Sequence, residues 1–311
     1  MKPTLVTCYV SPDLDGVAGA FAYAEFLGKT GVDAVAGIIG EMHDEATYVF
    51  SRFNITRPMS LPNADAYDRV ALVDASELVG LYGKIDPNTV IEIIDHRLVN
   101  EANKFPNAKA HIEPVGAAAT LVAERYISKG ISISRESAIL LIGGIISNTF
   151  NFKGSVTTDR DKKAFEWLNR VAGLPDDFWE ELFMAKSNLV GNKLKERMEE
   201  EFTWFHINNF KVGIAQIEII GAKPLLNGRT PEILAQLQKM QRDRELDYIF
   251  LNTVELKACI NYFVTDDVPT KKLLEKTLGV HFSGTTAARN NLIMRKQIVP
   301  LLKLQLDKKP T

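Results

Sequence analysis

The stretch Val90-Ile91-Glu92-Ile93-Ile94-Asp95-His96-Arg97 carries the reading of the fold. Four β-branched apolar residues around one glutamate give way at once to a carboxylate, an imidazole and a guanidinium. A run so short and so β-branched is a buried strand of a parallel sheet, covered on both faces. Ligands of such sheets bind beyond the carboxyl ends of the strands, which is where Asp95 and His96 fall. Two more apolar runs end in acid: Leu5–Val10 leads into Ser11-Pro12-Asp13-Leu14-Asp15-Gly16, and Val70–Val73 leads into Asp74. Three strands then deliver Asp13, Asp15, Asp74, Asp95 and His96 to one edge. So many carboxylates in one place require a cation or a network of donors.

The 311 residues suffice for two domains with separate cores. A net charge of −2, with no basic or acidic block, argues against nucleic-acid or membrane-surface binding. Cys8 and Cys259 stand far apart in apolar contexts, so neither a zinc site nor a disulfide is expected, and a reducing cytoplasm is the default location. No apolar segment approaches the ~18 residues of a spanning helix. Met1-Lys2-Pro3-Thr4 is read as entering the first strand directly, without a signal peptide.

Around the three strands the chain alternates as βα units do. Helices are expected at Val17–Leu27, Glu41–Phe53, Ser76–Ile85 (short), Val115–Lys129 closed by Gly130, and Ser134–Ser147. The last of these ends at Asn148, in line with the acidic edge. Strands are expected at Val32–Ile39 and Ala110–Ile112. An amphipathic helix over Asp159–Ala172 stops at Gly173-Leu174-Pro175, and a further helix covers Asp176–Met198. The domain boundary is placed within Ser187–Lys195, giving domains 1–188 and 196–311. In the second domain Phe202–Ile207 and Lys211–Ile220 pair through Asn208-Asn209. A helix spans Pro231–Glu245 with Thr230 as N-cap and Pro231 in its first turn. Strands follow at Tyr248–Val254 and Lys257–Val264, then a helix around Lys271–Leu278, and an apolar strand after Met294-Arg295-Lys296-Gln297.

Taken in order, these segments resemble the DHH phosphoesterases, and among them the manganese-dependent (family II) inorganic pyrophosphatases. The resemblance runs through Pro12-Asp13-Leu14-Asp15, Leu72-Val73-Asp74, Ile93-Ile94-Asp95-His96, Glu113–Thr120, Ile145–Asn148 with Phe152-Lys153, Phe202–Gln216 and Gln297–Pro300. Each motif alone is common; their order and spacing are specific. The resemblance implies an α/β protein: an N-terminal DHH domain with a parallel sheet flanked by helices, and a smaller α/β DHHA2-like C-terminal domain that closes over the substrate with basic side chains. It also implies a possible homodimer. Asp13, Asp15, Asp74 and His96 fall on its metal ligands, Asp74 bridging two ions, and Asp95 supports the site. Carboxylates with an imidazole suit Mn²⁺ or Mg²⁺, and the implied attacking group is a metal-bound hydroxide.

Several family positions are changed. Cys8-Tyr9 replaces a Gly-His, so one ion loses its imidazole. Arg97 stands for the second His of the signature, Asn148 for an Asp, and Thr203 for a phosphate-binding Lys. The closing basic motif aligns on Ile293-Met294-Arg295-Lys296, or with a one-residue slip keeps Arg295-Lys296 as its Arg-Lys. Asp15, Asp74, His96 and Asn148 still make one good metal site; Asp13 and Asp74, with Tyr9 a poor ligand at neutral pH, make a weak or absent second one. Arg97, Arg295, Lys296 and Tyr9 are the candidates for substrate contact, with Asp74, Asp95 and Arg97 nearest the chemistry. The expected reaction is metal-dependent hydrolysis of a phosphoanhydride or phosphate ester, on a phosphate-containing small molecule. The alternative is a catalytically degenerate relative that binds phosphate, a nucleotide or a protein partner. The bland reading of the same carboxylates is strand-end capping. Arg97 is either a phosphate clamp or a partner of Asp95, and the backbone N–H groups of Gly116–Ala119 either meet an anion or only pack.

Overall fold

The computed structural model describes residues 2–307. The chain divides into two compact units, the first ending at Lys186 and the second beginning at Ser187.

The first unit runs β1 (Thr4–Thr7), α1 (Leu14–Lys29), β2 (Ala34–Ile39), α2 (Asp44–Arg52), β3 (Met59–Leu61), β4 (Val70–Val73), β5 (Val90–Asp95), β6 (Lys109–Ile112), α3 (Ala118–Lys129), α4 (Arg135–Thr149), α5 (Asp159–Ala172) and α6 (Phe178–Lys186). Its sheet has the order β3-β2-β1-β4-β5-β6, every pair parallel. Order reverses between β1 and β4, so a crevice opens beyond the carboxyl ends of those two strands. All residues of β1 and β4 are buried, as a sheet covered on both faces requires. Leu5, Leu72 and Ile93, each fully buried, form one side of the core with Leu81 and Phe105.

The second unit runs α7 (Lys193–Glu200), β7 (Phe202–Ile207), β8 (Phe210–Ile219), α8 (Ala222–Arg244), β9 (Tyr248–Glu255), β10 (Ile260–Val264), α9 (Val268–Leu278), β11 (Phe282–Ser283), β12 (Thr286–Asn290) and α10 (Arg295–Leu306). Its sheet has the order β11-β12-β10-β9-β8-β7, antiparallel except for β8 against β9. Alternate residues feed opposite cores: Ala215, Ile249 and Leu251 pack with Leu194 and Leu237, while Ile214 and Phe250 pack with Leu274 and Leu302.

Four expectations are corrected. The segment 76–85 holds only a single 3₁₀ turn, Val79–Leu81, because Gly83 and the left-handed Tyr82 stop it. The helix expected over Asp176–Met198 is two, α6 and α7: Gly191 (φ +64) turns the chain, and Leu189, Leu194 and Met198 enter the second core. Pro231 lies inside α8, not in its first turn; the helix starts nine residues earlier, and the Thr230 hydroxyl donates to the Leu226 carbonyl (2.6 Å). The apolar run after Gln297 is helix α10, because Ile298, Val299 and Leu302 bury one helical face while Pro300, Leu301 and Leu304 stay exposed.

Candidate metal centre

Asp13 ends the loop after β1 as the N-cap of α1, its Oδ1 accepting from Gly16 N–H (3.0 Å). Asp15 follows in the first helical turn and is fully buried. Ser11 in the same loop takes φ +57 and its N–H donates to Ile39 O (2.8 Å), close against Gly40. A Cβ on Gly40 would come within 2.9 Å of Ser11 N, and Gly40 itself has φ +82, so only glycine fits beside this loop.

Asp74 leaves β4 in the left-handed region (φ +57), a conformation that Asp and Asn tolerate better than other side chains, with its N–H donating to Ile94 O (2.8 Å). Asp95, the last residue of β5, is fully buried and saturated with donors. Its Oδ1 accepts from His96 N–H (2.7 Å), and its Oδ2 accepts from the Ser76 hydroxyl and Arg97 Nη1. Asp95 therefore fixes the backbone on which His96 and Arg97 ride, and stands behind the cluster instead of within it.

One group emerges from these strand ends. Ligand atoms of Asp15, Asp74 and His96 lie within 4.8 Å of one another, the only such group of His, Cys, Asp or Glu among the described residues. His96 Nε2 is 3.4 Å from Asp74 Oδ1 and 3.9 Å from Asp15 Oδ2. Its Nδ1 sits 3.0 Å from the Val115 carbonyl, the arrangement that leaves Nε2 to a metal. Asp15 is gripped from behind by the N–H groups of Ala118 and Ala119 at the start of α3 (2.8 Å each) and by Asn148 Nδ2 (2.7 Å). The anions met by the Gly116–Ala119 backbone are thus carboxylates of the protein itself, Asp15 at Ala118 and Ala119 and Asp161 at Gly116. Asn148, expected among the ligands, here supplies a donor to one.

Asp74 Oδ1 is the exception to this satisfaction: it is buried and has no hydrogen-bond partner, although His96 Nε2 and Arg97 Nη2 stand 3.4 and 3.3 Å away. A buried anionic oxygen left so, beside a second carboxylate and an imidazole, fits a hard or borderline dication. The electrostatics agree. Burial and Asp74 push Asp15 up, and burial, Asp74 and Glu45 push Asp13 up to about 6. Burial works against a charged His96, but Asp74 and Asp15 outweigh it and push the imidazole up to about 10. The carboxylates crowd one another and draw in any positive charge within reach.

The other expected site residues lie as follows. Arg97 Nη1 donates to the Asp74 carbonyl (2.7 Å), and the guanidinium carbon lies 5.6 Å from the centre of the Tyr9 ring. The Tyr9 hydroxyl oxygen accepts from Asp13 N–H (2.9 Å). Arg295 and Lys296 open α10 in the second unit; the Arg295 guanidinium donates to the Glu201 carbonyl, and Lys296 is exposed. Sequence reading missed Glu45 and Asp161. Glu45 is buried at the start of α2, accepts from Leu14 N–H (3.2 Å) and the Ser147 hydroxyl (2.6 Å), and lies 3.7 Å from Lys186 Nζ. Asp161, fully buried on α5, accepts from Gly116 N–H (3.0 Å), the Thr120 hydroxyl (2.6 Å), and both N–H and hydroxyl of Thr158 (2.7 Å each). Only Thr158, the local N-cap, signals Asp161 in sequence.

Acidic residues at the switch point of a parallel 3-2-1-4-5-6 sheet, followed by a separate mixed-sheet unit, define a two-domain α/β architecture with a candidate metal centre in its first domain. Residues 180–304 match the DHHA2 domain family. The chain is 32% identical over 308 residues to the manganese-dependent inorganic pyrophosphatase of Methanothrix thermoacetophila, spanning 97% of this chain and 98% of that one. A Clostridium acetobutylicum protein provisionally named for the same activity is 25% identical over 98% of both chains. The crystal structure of a Methanococcus jannaschii protein, provisionally a family II inorganic pyrophosphatase, superposes with a TM-score of 0.71 at 28% identity, covering 98% of this chain and all of that one. The chain belongs to the manganese-dependent inorganic pyrophosphatase family.

Proposed function

We propose that this protein is a divalent-metal-dependent hydrolase of phosphoanhydrides or phosphate esters, with inorganic pyrophosphate as the reference substrate. The observation that carries this reading is the gathering of ligand atoms of Asp15, Asp74 and His96 within 4.8 Å of one another, with the buried Asp74 Oδ1 ion-paired but accepting no hydrogen bond. The names of the relatives, which specify manganese and pyrophosphate, support it. Asp15, Asp74 and His96 would hold the ion. When bound, Mn²⁺ or Mg²⁺ supplies Lewis acidity towards a phosphoryl oxygen and lowers the pKa of water.

The chain's own residues set the rest of the site. The Val115 carbonyl orients His96, and Asp95 holds the turn that carries it. Arg97, its side chain about one-third exposed, offers planar donors to an anionic substrate. Tyr9 and Asp13 are proposed to shape the floor of the first domain's crevice.

The test is phosphate release from pyrophosphate, tripolyphosphate, nucleotides and phosphate monoesters, each with Mg²⁺, Mn²⁺ or Co²⁺. Asp74→Asn is expected to lower metal-dependent turnover more than about 100-fold, beyond the loss typical of a merely supporting group. Unchanged turnover would refute the assignment. A second reading, a non-catalytic binder of phosphate, a nucleotide or a protein, draws support from Arg97, which already compensates Asp74. It would be favoured by a folded protein that binds no divalent ion.

A further inference from the structure

Arg97 is built into the acidic cluster. Its Nη2 lies 3.3 Å from the same Asp74 Oδ1 that faces His96, its Nη1 donates to the Asp74 carbonyl at 2.7 Å, and Nη1 also lies 3.3 Å from Asp95 Oδ2. The ring of Tyr9 lies against it, 5.6 Å from centroid to guanidinium carbon. Three oxygens and an aromatic face hold the group in place. A guanidinium keeps its proton under all ordinary conditions and has no lone pair to give a metal.

We propose that this centre takes a single divalent cation, at Asp15, Asp74 and His96, and that Arg97, held against Asp74 and Asp95, is a fixed positive charge in place of a second cation. The proposal rests on reading the cluster as a metal centre.

Three observations converge on it. The ligand atoms of Asp15, Asp74 and His96 are gathered, and Asp13 is not among them. Asp13 is taken up in the helix N-cap, its Oδ1 accepting from Gly16 N–H, and the Tyr9 oxygen is already accepting from Asp13 N–H. A second dication on Asp74 would stand beside both the first ion and a guanidinium already 3.3 Å from Oδ1, adding a further like charge around one buried carboxylate. A fixed guanidinium also presents its charge to the substrate without exchanging with solution, so activation by metal requires one binding event.

The experiment counts ions on the full chain. Protein stripped with chelator is reloaded with Mn²⁺ and desalted, its metal is measured by plasma mass spectrometry, and its electron paramagnetic resonance spectrum is recorded. One Mn²⁺ per chain with the six-line spectrum of an isolated ion is expected. Arg97→His and Tyr9→His/Arg97→His, checked for folding by circular dichroism, are expected to raise the count from one towards two and to add the broadened signal of a coupled pair. Two ions, or a coupled spectrum, in the unaltered protein overturns the proposal whether or not the variants fold. One ion in the unaltered protein and still one in both folded variants overturns the role given to Arg97. No bound ion at all refutes the metal-centre reading itself.

Discussion

Asp161→Asn tests whether the centre is held from behind. The Asp161 carboxylate takes the N–H of the Val115–Gly116 peptide, and the carbonyl of that same peptide faces His96 Nδ1. One peptide plane thus connects the two side chains. Four donors converge on the two Asp161 oxygens: Gly116 N–H on both, the Thr120 hydroxyl on Oδ1, and the N–H and hydroxyl of Thr158 on Oδ2. Asparagine keeps the shape but turns one of the oxygens into an NH₂ group. With NH₂ at Oδ1 the Thr120 hydroxyl rotates to accept and Gly116 N–H keeps Oδ2, so no backbone donor is stranded, but the bonds that remain lose their charge assistance at about 1 kcal/mol each. The expected loss is about 2–4 kcal/mol, a large share of the ~5–15 kcal/mol that holds a domain together. With a urea m-value of about 2.5 kcal/mol/M, the unfolding midpoint of the first domain should fall by roughly 1–2 M. Mn²⁺ affinity by titration calorimetry on the folded variant should fall about 10–100-fold, as His96 loses its fixed orientation. A midpoint shift below about 0.3 M at constant m, with unaltered Mn²⁺ affinity, would refute the linkage.

Two further outcomes follow from a half-buried carboxylate and a buried amide. Glu25 accepts from Ser134 N–H (2.9 Å), the hydroxyls of Ser134 and Ser137, and lies 2.7 Å from Lys29 Nζ; although burial opposes it, these donors hold its carboxyl below the usual 4.5. Its folded pKa is below its unfolded one, so its contribution is present above about pH 4.5 and is lost as pH falls through the folded value. Glu25→Gln should therefore cost about 1 kcal/mol at pH 7 and progressively less below pH 4.5, measured by urea unfolding across pH; a difference constant with pH would contradict this. In the second unit, Asn261 brackets the Ile293 backbone, Nδ2 donating to its carbonyl (2.7 Å) and Oδ1 accepting from its N–H (2.9 Å), while Asn252 Nδ2 reaches the same carbonyl (3.1 Å). Asn261→Leu should cost roughly 2–4 kcal/mol and raise hydrogen exchange selectively at residues 293–297, the segment that launches Arg295 and Lys296; unchanged protection there would show the amides only fill space.

The elements legible in sequence are those whose stop and start signals lie within a turn of their ends. Helix α5 has the expected bounds because Thr158 caps it, Asp161 completes the capping box and Gly173 closes it in the left-handed region (φ +59). The hairpin of β7 and β8 turns at Asn208 (φ +53) for the same reason. Helix α8 failed this test. Its start at Gly221-Ala222 is capped by Glu255 Oε2, which accepts both N–H groups (2.8 Å) from the end of β9, so Thr230-Pro231 offered the nearest local signal and misled. The run after Gln297 misled differently: five apolar residues are too few to separate period 2 from period 3.6, and the core that arbitrates lies on β8, β9 and β10.

The acidic edge was legible because carboxylates at strand ends repeat with the strands, and the 3-2-1-4-5-6 order then sets the ends of β1 and β4 side by side at the switch point. What each carboxylate does was not legible, because its partners come from elsewhere. Asp15 shows why. It sits in the first turn of α1, where the helix's own dipole favours an anion, and its oxygens also receive the first N–H groups of α3, more than 100 residues later. Two helix N-termini thus meet on one buried carboxylate and offset the cost of taking it out of water. Asp74 receives no such support at Oδ1 and is left to His96, Arg97 and whatever cation enters. Two aspartates that look alike at strand ends therefore carry different duties: Asp15 is anchored by the fold, and Asp74 holds the valence left open.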